Sequence, residues 1–252
     1  MIHRLIRGLA PVAMIALTAA LGGCNDMNVE INGAKGVPLS ELDMSGEAPS
    51  ALVLAGPDKV ILSEGEALDI DVTGDAAELV RFTLKDGALG VLREPGNWTD
   101  SGTAIVRITM PAPRSITMAG SGEVEAQGMA PEAEIVIAGS GRLKVAALAA
   151  TKADVTIAGS GSIDAAGTAD MLDLNIAGSG GANMAGLKVE TADISIAGSG
   201  SASFASDGKV EASVMGSGDV RVIGRATCEI NAMGSGTLTC APAEAEAAPA
   251  AE

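Results

Sequence analysis

Ala153-Asp154-Val155-Thr156-Ile157-Ala158-Gly159-Ser160-Gly161-Ser162-Ile163-Asp164-Ala165 carries the pattern from which the architecture follows. Ala153, Val155 and Ile157 alternate with Asp154 and Thr156, the period of two that marks a strand with one buried face. Gly159-Ser160-Gly161 interrupts the run, and Ile163 and Ala165 resume the alternation beyond it. Glycine suits such a bend because it accepts positive φ and lets another backbone come close.

The pattern recurs. Gly-Ser-Gly begins at Gly120, Gly139, Gly159, Gly178, Gly198, Gly216 and Gly234, at spacings of 19, 20, 19, 20, 18 and 18 residues. Aligned on the first Gly, the column four before it reads Ile116, Ile135, Val155, Leu174, Ile194, Ala212, Ile230. The column four after it reads Val124, Leu143, Ile163, Ala182, Ala202, Val220, Leu238. Each unit is thus strand, bend, strand and a variable connection such as Ala165-Ala166-Gly167-Thr168.

One such unit cannot bury its apolar face alone, whereas stacked units can, with like columns about 4.8 Å apart. The prediction is an all-β, single-domain parallel β-helix, a β-solenoid of seven regular rungs with an irregular N-terminal cap. Right-handed coiling is the default for parallel crossovers, although rungs near 18 residues also occur in left-handed helices. A meander of antiparallel hairpins explains the repeat less well, because its consecutive strands would not carry identical columns facing one way.

From Ala51 to Pro113 the triplet is absent but strand signals persist, as in Leu68-Asp69-Ile70-Asp71-Val72 and Ala104-Ile105-Val106-Arg107-Ile108. These read as irregular first rungs or a capping sheet, with Phe82 and Trp98 packing there.

Residues 1–24 read as a secretory signal: Arg4 and Arg7 precede an apolar run, Leu9 to Leu21, that ends Leu21-Gly22-Gly23-Cys24. That ending resembles the bacterial lipobox, which implies lipidation of Cys24 and a membrane anchor without a transmembrane helix. Residues 25–48 read as a flexible tether, 49–240 as the β-helix and 241–252 as a disordered acidic tail.

The chain carries 16 basic and 32 acidic residues, and removing the signal leaves 14 basic residues, a net −18. Such a surface repels phosphate backbones and anionic lipid, which excludes nucleic acid as a partner.

Beyond Cys24, Cys228 and Cys240 lie six positions before and after the first Gly of the last Gly-Ser-Gly, both in inward columns. Export permits oxidation, so a Cys228–Cys240 disulfide is expected at the end of the solenoid, with two buried thiols as the alternative.

The column five before the Gly holds Glu134, Asp154, Asp173, Asp193, Glu211 and Glu229. Stacking would set these acids in a line on one outer face. One reading is a solvated stripe that aids solubility; the other is uptake of Ca²⁺ or Mg²⁺, hard cations that prefer oxygen ligands. A second outer face, with Ser162, Gly181, Asn183, Ser201, Ser203, Thr237 and Thr239, offers hydrogen bonds to a glycan or protein partner and no aromatic anchor.

Three stretches resemble the head GIN domain family, labelled as auto-transporter adhesins. They are Phe82-Thr83-Leu84-Lys85-Asp86-Gly87-Ala88-Leu89, Trp98 with Ile105-Val106-Arg107-Ile108-Thr109-Met110-Pro111, and the Gly-Ser-Gly ladder. The resemblance implies an exported β-helical domain, often on lipoproteins of Gram-negative envelopes, and brings no catalytic residues.

The chain's single His, His3, lies in the signal, and Tyr is absent. That removes histidine-based triads and metal sites. Carboxylate catalysis would need a shaped cleft with a raised-pKa acid, and no long loops or aromatic platforms suggest one. The function expected is a lipid-anchored, bacterial outer-membrane protein, periplasmic or surface-exposed, that presents the β-helix as a non-catalytic binding or adhesion module. A structural envelope scaffold is the alternative, and a carbohydrate-active enzyme comes third. The sequence leaves the oligomeric state open.

Overall fold

A computed structural model describes residues 17–19, 29–94 and 102–241. Nearly all of it is strand, wound into a β-solenoid of about seven turns. Cys24, Trp98 and residues 242–252 lie outside the described residues.

Three short strands lead: β1 (Leu17–Ala19), β2 (Val29–Ile31) and β3 (Ala34–Lys35). β1 and β3 both pair antiparallel with β2. The β2–β3 hairpin turns on Asn32-Gly33, with φ of 51° and 68°, the left-handed pair that two-residue hairpins prefer. Ile31 is buried against Val53 and Leu92 on the outside of the solenoid. Val37 bridges Phe82 through two backbone hydrogen bonds, of 2.9 and 2.8 Å. The stretch expected to be a flexible tether is therefore docked where it is described. The physical reason is apolar: Ile31 covers a patch that would otherwise face water.

Next come β4 (Ala51–Ala55), β5 (Lys59–Glu64), β6 (Asp69–Thr73), β7 (Val80–Lys85), β8 (Ala88–Arg93) and β9 (Ile105–Met110). Their order in space differs from their order in the chain. β4 and β5 lie between β8 and β9 on one side and β10 (Ser115–Gly120) and β11 (Glu123–Gly128) on the other, parallel to both neighbours. β7 and β6 run antiparallel to β8 and β9 and close that end. First rungs and capping sheet are thus both present, and Phe82 sits in the capped core.

The repeats follow as β12 (Glu132–Gly139), β13 (Arg142–Gly159), β14 (Ser162–Gly178), β15 (Gly181–Gly198), β16 (Ser201–Gly216), β17 (Asp219–Ile223), β18 (Thr227–Gly234) and β19 (Thr237–Ala241). Every pairing from β10 onward is parallel, and the first glycines stack in register from Gly120 to Gly234. The predicted inward columns form one continuous core, with Ile135, Ile157, Leu174, Ile194, Val145 and Phe204 all buried.

The variable connections turn out to be strand as well. β13 to β16 run on through a register shift, and Leu148, Ala150, Leu187 and Val189 form a third buried strip. At the far end the stack stops abruptly. Ile230 is 41% exposed, whereas Ile194 in the same column is fully buried, because nothing described lies on top of β18.

Candidate functional site

Six acids stand on one outer face as the register requires. Glu134 pairs with Asp154, Asp154 with Asp173, Asp173 with Asp193, Asp193 with Glu211 and Glu211 with Glu229. Neighbouring strands set these carboxylates roughly 5 Å apart, and the chain offsets part of the repulsion itself. Lys152 Nζ reaches Asp154 at 2.8 Å, Lys209 pairs with Glu211, and Asn175 Nδ2 donates to Asp173 at 2.8 Å. Those hydrogen bonds hold the Lys152 and Lys209 ammonium groups above the ordinary lysine range. Among the described residues no three His, Cys, Asp or Glu side chains converge to hold a metal ion.

Asp193 is the ladder position that feels its neighbours most. Partial burial first, then the charges of Asp173 and Glu211, push its carboxyl above the usual aspartate value of 3.8. A raised carboxylate pKa means that the folded state binds the proton more tightly than the unfolded one, so this site costs stability once pH rises through that range. Asp193→Asn should therefore raise stability at pH 7 by about 0.3 kcal/mol, because exposed like charges on adjacent strands are screened. A shift in melting temperature of about 1 °C follows at that size. Parallel melts of both proteins at pH 7 and pH 3 check this; the gap should close at pH 3, where the aspartate is neutral in both states.

The second outer face satisfies its own polar groups from rung to rung. Lys59 Nζ lies 3.0 Å from Glu125 and 3.5 Å from Glu123. Further along, Asn183 Nδ2 donates to Asp164 at 2.9 Å, Ser203 Oγ to Asn183 Oδ1 at 3.3 Å, and Thr237 Oγ1 to Asp219 at 2.6 Å. Ser162, Gly181 and Ser201 share one register line, as do Asp219 with Thr237 and Arg221 with Thr239.

Cys228 and Cys240 form a disulfide, with their Cα atoms 6.7 Å apart. It spans the two strands of the last rung. Its half-cystines are less covered than their inward columns suggest, for the same reason that Ile230 is exposed.

Two features escape the column reading. The position before each first Gly is Ala119, Ala138, Ala158, Ala177 and Ala197 in turn, then Met215 and Met233, exposed at 57% and 74%. The same alignment would have revealed that change. The other is an ion pair at the cap. Asp58 and Arg93 are buried together, Arg93 Nε donating to Asp58 at 2.9 Å and the Ala104 amide at 2.8 Å. Asp58 follows Gly56-Pro57, which occupies the bend where later rungs have Gly-Ser-Gly.

A crevice of about 380 Å³ opens at the cap, lined by Leu39, Ile70, Val72, Val80 and Phe82 with Asp71, Glu78 and Arg81. Asp71 lies 3.7 Å from Arg107, and Phe82 is too deeply buried to stack on a sugar. Among the described residues no helix is long and apolar enough to cross a membrane.

Several solved structures share this fold. A "putative adhesin" from Bacteroides fragilis NCTC 9343 superposes with a TM-score of 0.69 at 20% identity, covering 77% of this chain and 93% of its own. A "putative lipid binding protein" from Parabacteroides distasonis ATCC 8503 gives 0.59 at 20% identity over 77% and 93%. A "putative adhesin" from the same organism gives 0.59 at 20% over 78% and 94%. No curated protein matches the chain. The family model described as "Putative auto-transporter adhesin, head GIN domain" matches residues 48–226, which take in the cap, the buried ion pair and all but the last rung, and the chain belongs to that family.

Proposed function

We propose that this protein is anchored in the cell envelope by lipid on Cys24 and presents its acidic solenoid as a non-catalytic adhesion module, with a glycan or protein surface as partner. The observation that carries the reading is the continuous parallel stacking from β10 to β19, in which the columns up to and including each first Gly keep their register. It repeats the same outer columns at rung spacing, which suits an extended, repetitive partner surface better than a small molecule held in a cleft. Family membership and the names of two structural neighbours as adhesins support it.

The docked hairpin constrains how such an anchor works. Val29 is the fifth residue after Cys24, so the link spans at most about 18 Å when fully extended. The solenoid would therefore ride close to the bilayer, not at the end of a long tether. β1 would leave with the signal.

Cys24→Ala tests the anchor. The expected result is release of the protein from the membrane pellet into the soluble envelope fraction, with its melting temperature unchanged. Retention in the pellet would overturn the lipid attachment.

A further inference from the structure

The two ends of the solenoid differ. At the N-terminal end β7 pairs with β8 along one edge and bridges Val37 along the other, while β6 covers β9. At the C-terminal end β18 and β19 present bare backbone edges among the described residues. Ile230, Met233 and, one rung below, Met215 are exposed there at 41%, 74% and 57%. Open strand edges with apolar side chains attract another strand.

Charge identifies the kind of strand. Residues 224–241 contain one basic residue, Arg225, and one acid, Glu229, so the last rung is neutral in a chain of net −16. It is the end at which two copies can approach with their acidic bodies pointing apart along a common axis. Head-to-tail stacking onto β7 would have to displace Val37 from its outer edge, which favours the isologous arrangement.

We propose that the C-terminal rung is a homodimer interface in which β18 of two copies pairs antiparallel about a two-fold axis at Asn231. That centre keeps the faces matched. Ile230 meets Ala232 of the second copy, so the inward column continues across the junction, and Glu229 meets Met233 instead of a second Glu229. The disulfide between Cys228 and Cys240 holds the rung ready before association.

Sedimentation equilibrium of the full chain in density-matched detergent tests the proposal. The expected result is a dimer at micromolar concentration. Met233→Glu should weaken it at least tenfold by setting a glutamate against Glu229 of the second copy, whereas Met233→Lys should preserve or tighten it. Met233 is exposed, so both variants should fold, and their melts verify that. Deleting residues 242–252, which include Glu244, Glu246 and Glu252, should leave the dimer intact. A monomeric full chain would overturn the proposal. If that monomer dimerised only after the deletion, the tail would be what covers the end. A dimer indifferent to both Met233 variants would place the interface elsewhere.

Discussion

Gly198→Ala is expected to lower the melting temperature by about 10 °C, while Gly181→Ala leaves it nearly unchanged. Gly198 opens its Gly-Ser-Gly with φ of 130°, and an added Cβ would lie 2.2 Å from the Gly178 carbonyl oxygen in the rung below. The obstructing atom is backbone, held in its own stacked rung, so it cannot swing aside. Backbone strain of about 1–3 kcal/mol adds to overpacking of about 1–3 kcal/mol. At about 2–4 °C per kcal/mol for a domain of this size, the sum gives the stated drop. Gly181 has no positive φ, and its Cβ would meet only the Ser201 hydroxyl at 3.6 Å. Ser162 and Ser201 already fill that column. Thermal melts of the two variants check the register directly, and equal losses would show that the rungs are not stacked in it.

Asp58→Ala should cost about 3–5 kcal/mol, the usual penalty for removing one partner of a buried ion pair. Arg93 and Asp58 are 0% and 1% exposed in their side chains, so water cannot replace the lost carboxylate. The Ala104 amide loses its acceptor at the same time. The damage should be local to the cap: Asp58 joins the rung of β4 and β5 to the rung of β8 and β9, which are neighbours in space and distant in sequence. Hydrogen exchange should show β8 and β9 losing protection while β13 to β15 keep theirs, and an unchanged denaturation midpoint would refute the role. Removing an exposed pair such as Arg107–Asp71 should change stability by less than about 1 kcal/mol.

These contrasts show which parts of the molecule were legible in the sequence. Columns such as Ile135, Val155, Leu174 and Ile194 announce themselves because a solenoid places the same environment at the same repeat position. The acidic ladder and the disulfide follow from that alignment. The third buried strip was harder. Leu148 and Ala150, or Leu187 and Val189, alternate in a way that marks strand, but the spacing before them varies and hides them among connections. The docked hairpin also carried a signal, since Val29-Glu30-Ile31 runs into Asn32-Gly33, a turn pair between alternating residues. The insertion of β4 and β5 between two later pairs left no local mark. Nothing in a single strand says which neighbour it will find, and the Asp58–Arg93 pair exists only because of that order.

The outer surface follows from the same economy. A stack of parallel strands offers its partners long lines of one residue type, and this chain fills one line with carboxylates, another with small hydroxyl and amide groups. Neither line gathers a reactive cluster among the described residues. In the function proposed above these lines meet a partner surface, close to the membrane if Cys24 carries the anchor.

Protease accessibility on intact cells, compared with permeabilised ones, tests that account most directly. Digestion of the solenoid on intact cells, with a fragment retained at the membrane, is the result predicted for an adhesion module facing outward. Full protection until the cells are permeabilised would contradict it and assign the protein to the periplasm as a scaffold.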